Sequence, residues 1–91
     1  MKKTLLVILL GHRKETAVNV QKVLTGWGCL IKTRLGIHDG VLDNCSNTGL
    51  IILELVGKQE DREELARKIS LISDVTYQMV ELEVPTDETQ P

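Results

Sequence analysis

Two aliphatic runs constrain this chain more than any other feature. Thr4–Leu10 (TLLVILL) and Gly49–Val56 (GLIILELV) are almost unbroken stretches of Leu, Ile and Val, and Glu54 is their one charge. Both are too short for an ordinary helix, and glycines (Gly11 and Gly57) stop them. Each therefore reads as a strand buried on both faces. A strand of that kind belongs in the middle of a sheet, so the rest of the chain must supply edge strands and a cover.

It does so in a recognisable order. Over Lys14–Gly26, the residues Ala17, Val20, Leu24 and Trp27 fall on one helical face, widened by Val23 and stopped by Gly26 and Gly28. Leu30–Ile37 alternates Ile31, Thr33, Leu35 and Ile37 with Lys32, Arg34 and Gly36, the pattern of a strand with one wetter face. Gln59–Ser73 predicts a second helix, with Leu65, Ala66, Ile69 and Ile72 inward and Glu60 and Asp61 in the first turn, where they favour the helix dipole. Glu63–Arg67 and Glu64–Lys68 are spaced to pair along it. Val75–Glu83 reads as a fourth strand. Its apolar parity switches from Val75, Tyr77 and Met79 to Val80 and Leu82, which predicts a bulge near Met79. Pro85–Pro91 has no apolar period, so residues 1–84 are expected to form the domain and 85–91 a frayed tail.

The order β-α-β-β-α-β is that of a ferredoxin-like α+β sandwich, an antiparallel four-stranded sheet with two helices on one face. In it the first and third strands are central, and these are the two continuous runs. The other sheet face then carries uncovered Leu and Ile. That predicts a homo-oligomer, dimer or tetramer, burying the face against another copy.

Composition narrows the function classes. A net charge of −2 gives no general pull toward nucleic acid or an anionic membrane, so no direct nucleic-acid or membrane binding is expected. No apolar run approaches the ~20 residues that span a bilayer. The start MKKTLLVILLG imitates a secretory leader, but its apolar part is short and His12-Arg13-Lys14 follows without a small-residue cleavage site. The two cysteines, Cys29 and Cys45, form no zinc pair and read as free thiols of a cytoplasmic protein, Cys29 in a structural place.

The loop between the second and third strands gathers the side chains that carry chemistry: His38, Asp39, Asp43, Asn44, Cys45, Ser46 and Asn47. It is longer than a hairpin needs. Asp39, Asn44, Ser46 and Asn47 suit a polar ligand pocket; the plainer reading is turn chemistry, which uses the same residue types. No glycine-rich phosphate loop, carboxylate dyad or cofactor motif is present, and Cys45 with His38 is the one conceivable nucleophile–base pair. The chain is not expected to be an enzyme.

The run LGIHDG…NCSNTGLIILELVG, followed by a helix and ISDVTYQMVEL, resembles the small ACT-like family named, by association, as iron-only hydrogenase system regulators. The resemblance extends from about Lys3 to Glu83. More distantly the chain is similar to the C-terminal metal-sensing domain of the nickel-responsive transcription regulator. Both resemblances imply a ferredoxin-like fold and oligomers. ACT-like relatives imply a small-molecule effector at a subunit interface near the turn after the first strand, here Gly11, His12 and Arg13. Glycine lets a ligand approach the backbone, and a helix N-terminus offers N–H groups to an anion. The nickel-sensing resemblance implies His38 and Cys45 as ligands of a transition metal such as nickel, iron or zinc. It departs from that pattern at Gly36, where a second histidine would stand, and no ribbon-helix-helix arm is present. The function implied is a regulatory module sensing an effector or metal. The alternatives are a ligand-free assembly accessory and a redox sensor acting through Cys45.

Overall fold

The computed structural model describes residues 1–11, 14–38 and 49–85. Four strands, β1 (Lys2–Leu10), β2 (Ile31–His38), β3 (Gly49–Leu55) and β4 (Val75–Glu83), form one sheet in the order β2-β3-β1-β4. All neighbours are antiparallel. Helix α1 (Lys14–Gly26) joins β1 to β2 and helix α2 (Gln59–Ser70) joins β3 to β4. This is the ferredoxin-like βαββαβ sandwich, with the two aliphatic runs at its centre.

Strand pleat sorts each central strand into two faces. Thr4, Leu6, Ile8 and Leu10 of β1, and Ile51, Leu53 and Leu55 of β3, point toward the helices and are buried. Val20 and Leu24 of α1 and Leu65, Ala66 and Ile69 of α2 close over them, and Trp27, Ile72 and Met79 pack at the margin. Leu6, Ile8, Leu53, Leu65 and Ile69 are fully enclosed, and each such side chain stabilises the fold by about 1.5–3 kcal/mol.

The remaining residues of those strands lie on the uncovered face. Register places Leu5 beside Glu54 and Val80, Val7 beside Ile52 and Gln78, and Leu9 beside Leu50 and Thr76. On the far side of β3, Leu35 meets Ile52 and Ile37 meets Leu50. Leu9, Leu35, Ile37 and Leu82 stay substantially exposed there.

Three expectations change. The pairing of β4 with β1 runs unbroken from Val75 to Glu83, so there is no bulge near Met79. The parity switch has another cause: Val75 and Met79 pack toward the helices, while Val80 and Leu82 contribute to the open face. The irregularity lies instead in β2, between Ile31 and Thr33. It keeps Ile31 beside Leu55 on the core side and Thr33 beside Glu54 on the open side, which turns Lys32 into the extra residue of the strand. On α2, Arg67 pairs with Glu64 one turn back, at 2.7 and 2.8 Å, rather than with Glu63, which accepts from Gln59 instead. Cys29 sits exposed in a short 3-10 turn, Gly28–Leu30, outside the core.

Candidate functional site

The polar loop lies outside the described residues: Asp39, Asp43, Asn44, Cys45, Ser46 and Asn47 are not among them, nor are His12 and Arg13. What is described is the frame that carries them. His38 closes β2 and stands opposite Gly49, so the loop leaves and re-enters the sheet at one paired position. Among the described residues no three His, Cys, Asp or Glu side chains gather closely enough to hold a metal ion.

Gly11 has a structural explanation. Its N–H donates to the Asp74 carbonyl at 2.9 Å. A Cβ at this position would come within 2.1–2.3 Å of the Asp74 carboxylate, so any other residue here requires the Asp74 side chain to move. Asp74 itself has φ 67, the left-handed region in which aspartate is one of the few residues found routinely. The buried Thr16 hydroxyl lies 3.4 Å from the Ser73 carbonyl and 3.5 Å from the Asp74 carboxylate. Gly11 is thus laced to the turn before β4, and the space beside Asp74 favours glycine there whether or not a ligand visits.

Two surfaces stand out among the described residues. The first is the open sheet face. With strands about 4.8 Å apart and a rise of about 3.4 Å per residue, its outline covers on the order of 450 Å². That outline, which also takes in Lys3, Thr33, Glu54, Thr76 and Gln78, falls within the range of the largest patch on a typical monomer, and such patches are often functional.

The second surface was not foreseen. At the end of the sheet where β1 begins and β3 ends, a cleft of about 350 Å³ is lined by Lys2, Lys3, Lys32, Glu54, Gly57 and Arg62 among others. Lys3 donates to Glu54 at 2.9 Å, and Lys2 pairs with Glu81 at 3.2 Å. The Lys3 hydrogen bond holds the Glu54 carboxyl below its ordinary range, with Lys32 acting in the same direction. The same bond holds the Lys3 ammonium above its ordinary range. The Arg62 guanidinium donates to the Gly57 carbonyl. Gly57 has φ +92 and sits against Leu30, so the chain turns there in a way that only glycine allows without strain. In sequence these cations are scattered. Lys32 alternates with apolar neighbours, and that pattern gives no hint that a bulge displaces it.

The fold and these surfaces define a small ferredoxin-like α+β module. No protein-family model matches the chain, and no curated protein does. Solved structures do. An uncharacterised protein from Thermotoga maritima, TM1266, is similar with a TM-score of 0.75 at 25% identity, over 91% of this chain and all of that one. CPII from Thiomonas intermedia K12, solved with ADP, AMP and acetate, is similar with a TM-score of 0.58 at 12% identity, over 94% of this chain and 91% of that one. A formyltetrahydrofolate deformylase from Pseudomonas putida KT2440 contains the same fold over 28% of its length, at a TM-score of 0.54 and 14% identity. At the lower two identities the likeness is one of fold. Among the described residues no helix is long and apolar enough to cross a membrane.

Proposed function

We propose that this chain is a regulatory ACT-like module, akin to the iron-only hydrogenase system regulators, that self-associates through its open sheet face and binds a small effector or a transition metal at or near the subunit interface. It passes that state to a partner protein and carries out no catalysis of its own. The observation that carries the proposal is the aliphatic face built by Leu5, Val7, Leu9, Leu50, Ile52 and their neighbours on β2 and β4. A second copy offers the same surface, and matching aliphatic faces need no complementary charges to pack. A ligand that touches two subunits stabilises the assembled form, which is how such a module reports what it has bound. CPII was solved with adenine nucleotides, so these are the first effectors to try. The same face supports a second reading, an assembly accessory that displays a surface and binds nothing.

Native and denaturing mass spectra of protein prepared without chelator test both readings. An oligomer carrying a metal-sized excess mass, lost in His38→Ala or Cys45→Ser, supports metal sensing. An oligomer without excess, stabilised in a thermal-shift screen by a nucleotide or amino acid, supports effector binding. An oligomer that responds to none of these supports the accessory. A monomer at every concentration removes the argument from the open face.

A further inference from the structure

We propose that the cleft between the start of β1 and the end of β3 is a binding site for a compact phosphate-type oxyanion, held between Lys32 and Arg62 with Lys3 at its rim. The argument for it does not rest on the proposal above, and the site lies at the opposite end of β3 from the Gly49–His38 pair.

The argument starts from charge. The chain as a whole is acidic, with a net charge of −2, yet this cleft places four cations against a single carboxylate, Glu54. Two of the cations are paired with carboxylates, Lys2 with Glu81 and Lys3 with Glu54, while Arg62 donates to the Gly57 carbonyl. Among the described residues, Lys32 and Arg62 form no ion pair with a carboxylate. Positive charge gathered around a concavity raises the local concentration of anions. An oxyanion with several acceptor oxygens can take donors from different directions at once, and these come here from different elements. Arg62 projects from α2, Lys32 from the bulge in β2, and Lys3 from β1. Guanidinium and ammonium donors to such an anion make the stronger, charge-assisted kind of hydrogen bond.

The lining also says what the ligand is not. Among the described residues it holds no aromatic ring and no side-chain amide, so the lining favours charge over recognition of a nucleobase. At about 350 Å³ the cleft is at the small end of ligand sites. A small phosphorylated molecule, or inorganic pyrophosphate, matches both its size and its charge.

The geometry fixes a sign that a merely structural role would not. Glu54 sits among the cations and opposes an incoming anion, so removing its charge should tighten binding. Removing Lys32 or Arg62 should weaken it. The test is a titration of the full chain with pyrophosphate, read by amide chemical shifts at moderate salt. The proposal expects saturable shifts confined to Lys3, Lys32, Leu55 to Gly57 and Arg62. It expects affinity about tenfold lower in Lys32→Gln and in Arg62→Gln, the size of one charge-assisted hydrogen bond, and higher in Glu54→Gln. Lys32 is exposed on an edge strand, so Lys32→Gln keeps the fold, and the spectrum of each variant shows whether it has. Shifts that do not saturate overturn the proposal, as do shifts spread evenly to lysines such as Lys22 and Lys68. Unchanged affinity in Lys32→Gln, or weaker binding in Glu54→Gln, overturns it as well. Citrate binding in place of pyrophosphate would replace the phosphate assignment with a polycarboxylate.

Discussion

Replacing Leu9 by lysine should break the proposed self-association while leaving the fold intact. Leu9 lies on the open face of a central strand, beside Leu50 and Thr76, and is 48% exposed in the single chain. Full burial of a leucine stabilises by about 1.5–3 kcal/mol, so roughly half of that, about 1 kcal/mol, remains to be gained when a second copy covers it. A two-fold interface contains the residue twice, and the loss is then about 2 kcal/mol, or about thirtyfold in the dissociation constant. The lysine adds a desolvation cost on top, so thirtyfold is the lower bound. In the isolated chain the cost is small, because the ammonium can reach water past Thr76. Sedimentation velocity over a concentration series reads the assembly constant, and far-ultraviolet circular dichroism reads the fold. An L9K variant that assembles as tightly as the parent would place the interface elsewhere and refute the reasoning.

Three other outcomes follow from the packing and the charges. Leu53→Ala, at a fully enclosed position opposite Leu6, should cost about 3–5 kcal/mol in urea unfolding; a loss under ~1 kcal/mol would show that the core is not packed as described. Gly11→Ala should destabilise by about 1–3 kcal/mol through its collision with Asp74. Most of that loss should vanish in an Asp74→Gly background, because glycine accepts φ 67 and removes the carboxylate; equal losses in both backgrounds would exclude the collision. The Glu54–Lys3 pair should shape stability at both ends of the pH scale. Glu54 titrates lower in the folded chain, so its contribution is present above the ordinary carboxylate range and is lost as pH falls through the depressed value. Lys3 titrates higher, so its contribution is present below the ordinary lysine range and is lost as pH rises through the raised value. In Glu54→Gln both limbs should flatten, and urea midpoints that track the parent at every pH would show that the pair contributes nothing.

The fold was legible because its strongest signals were redundant. Continuous Leu and Ile runs marked β1 and β3 as central, the alternating runs marked β2 and β4 as edges, and the helical stripes through Val20 and Leu24 and through Leu65 and Ile69 supplied the cover. The misreading of β4 has a physical reason. A parity switch in an edge strand looks like a bulge only if one face is assumed to be wet, and here both faces meet apolar neighbours: Met79 under the helices, Val80 beside Leu5. The bulge in β2 was hidden because Ile31 and Thr33 keep the same spacing in sequence although they serve opposite faces. The cationic cleft was illegible for a different reason. Lys2, Lys3, Lys32 and Arg62 come from two strands and one helix far apart in sequence, and only the fold brings them together. The candidate residues His38, Asp39, Asn44, Cys45, Ser46 and Asn47 were chosen by chemistry, and the structure fixes just the paired anchor from which their loop departs.

That anchor and the cleft stand at the two ends of β3, about 20 Å apart along the strand. Gly49 faces His38 at one end, and Glu54 with Leu55 borders the cleft at the other. Between them Leu50 and Ile52 contribute to the open face. One strand therefore serves the loop, the surface proposed for assembly and the cleft proposed for an anion. Glu54 ties the last two most closely, since it lies on the open side beside Leu5 and Thr33 while its carboxylate accepts from Lys3 at the rim of the cleft. An anion that draws Lys3 away from Glu54 would leave a carboxylate without its partner at the edge of the aliphatic face. Covering that face with a second copy would then have to desolvate the freed charge, which opposes assembly. The same linkage read in the other direction has assembly weakening the anion's hold, by an equal factor.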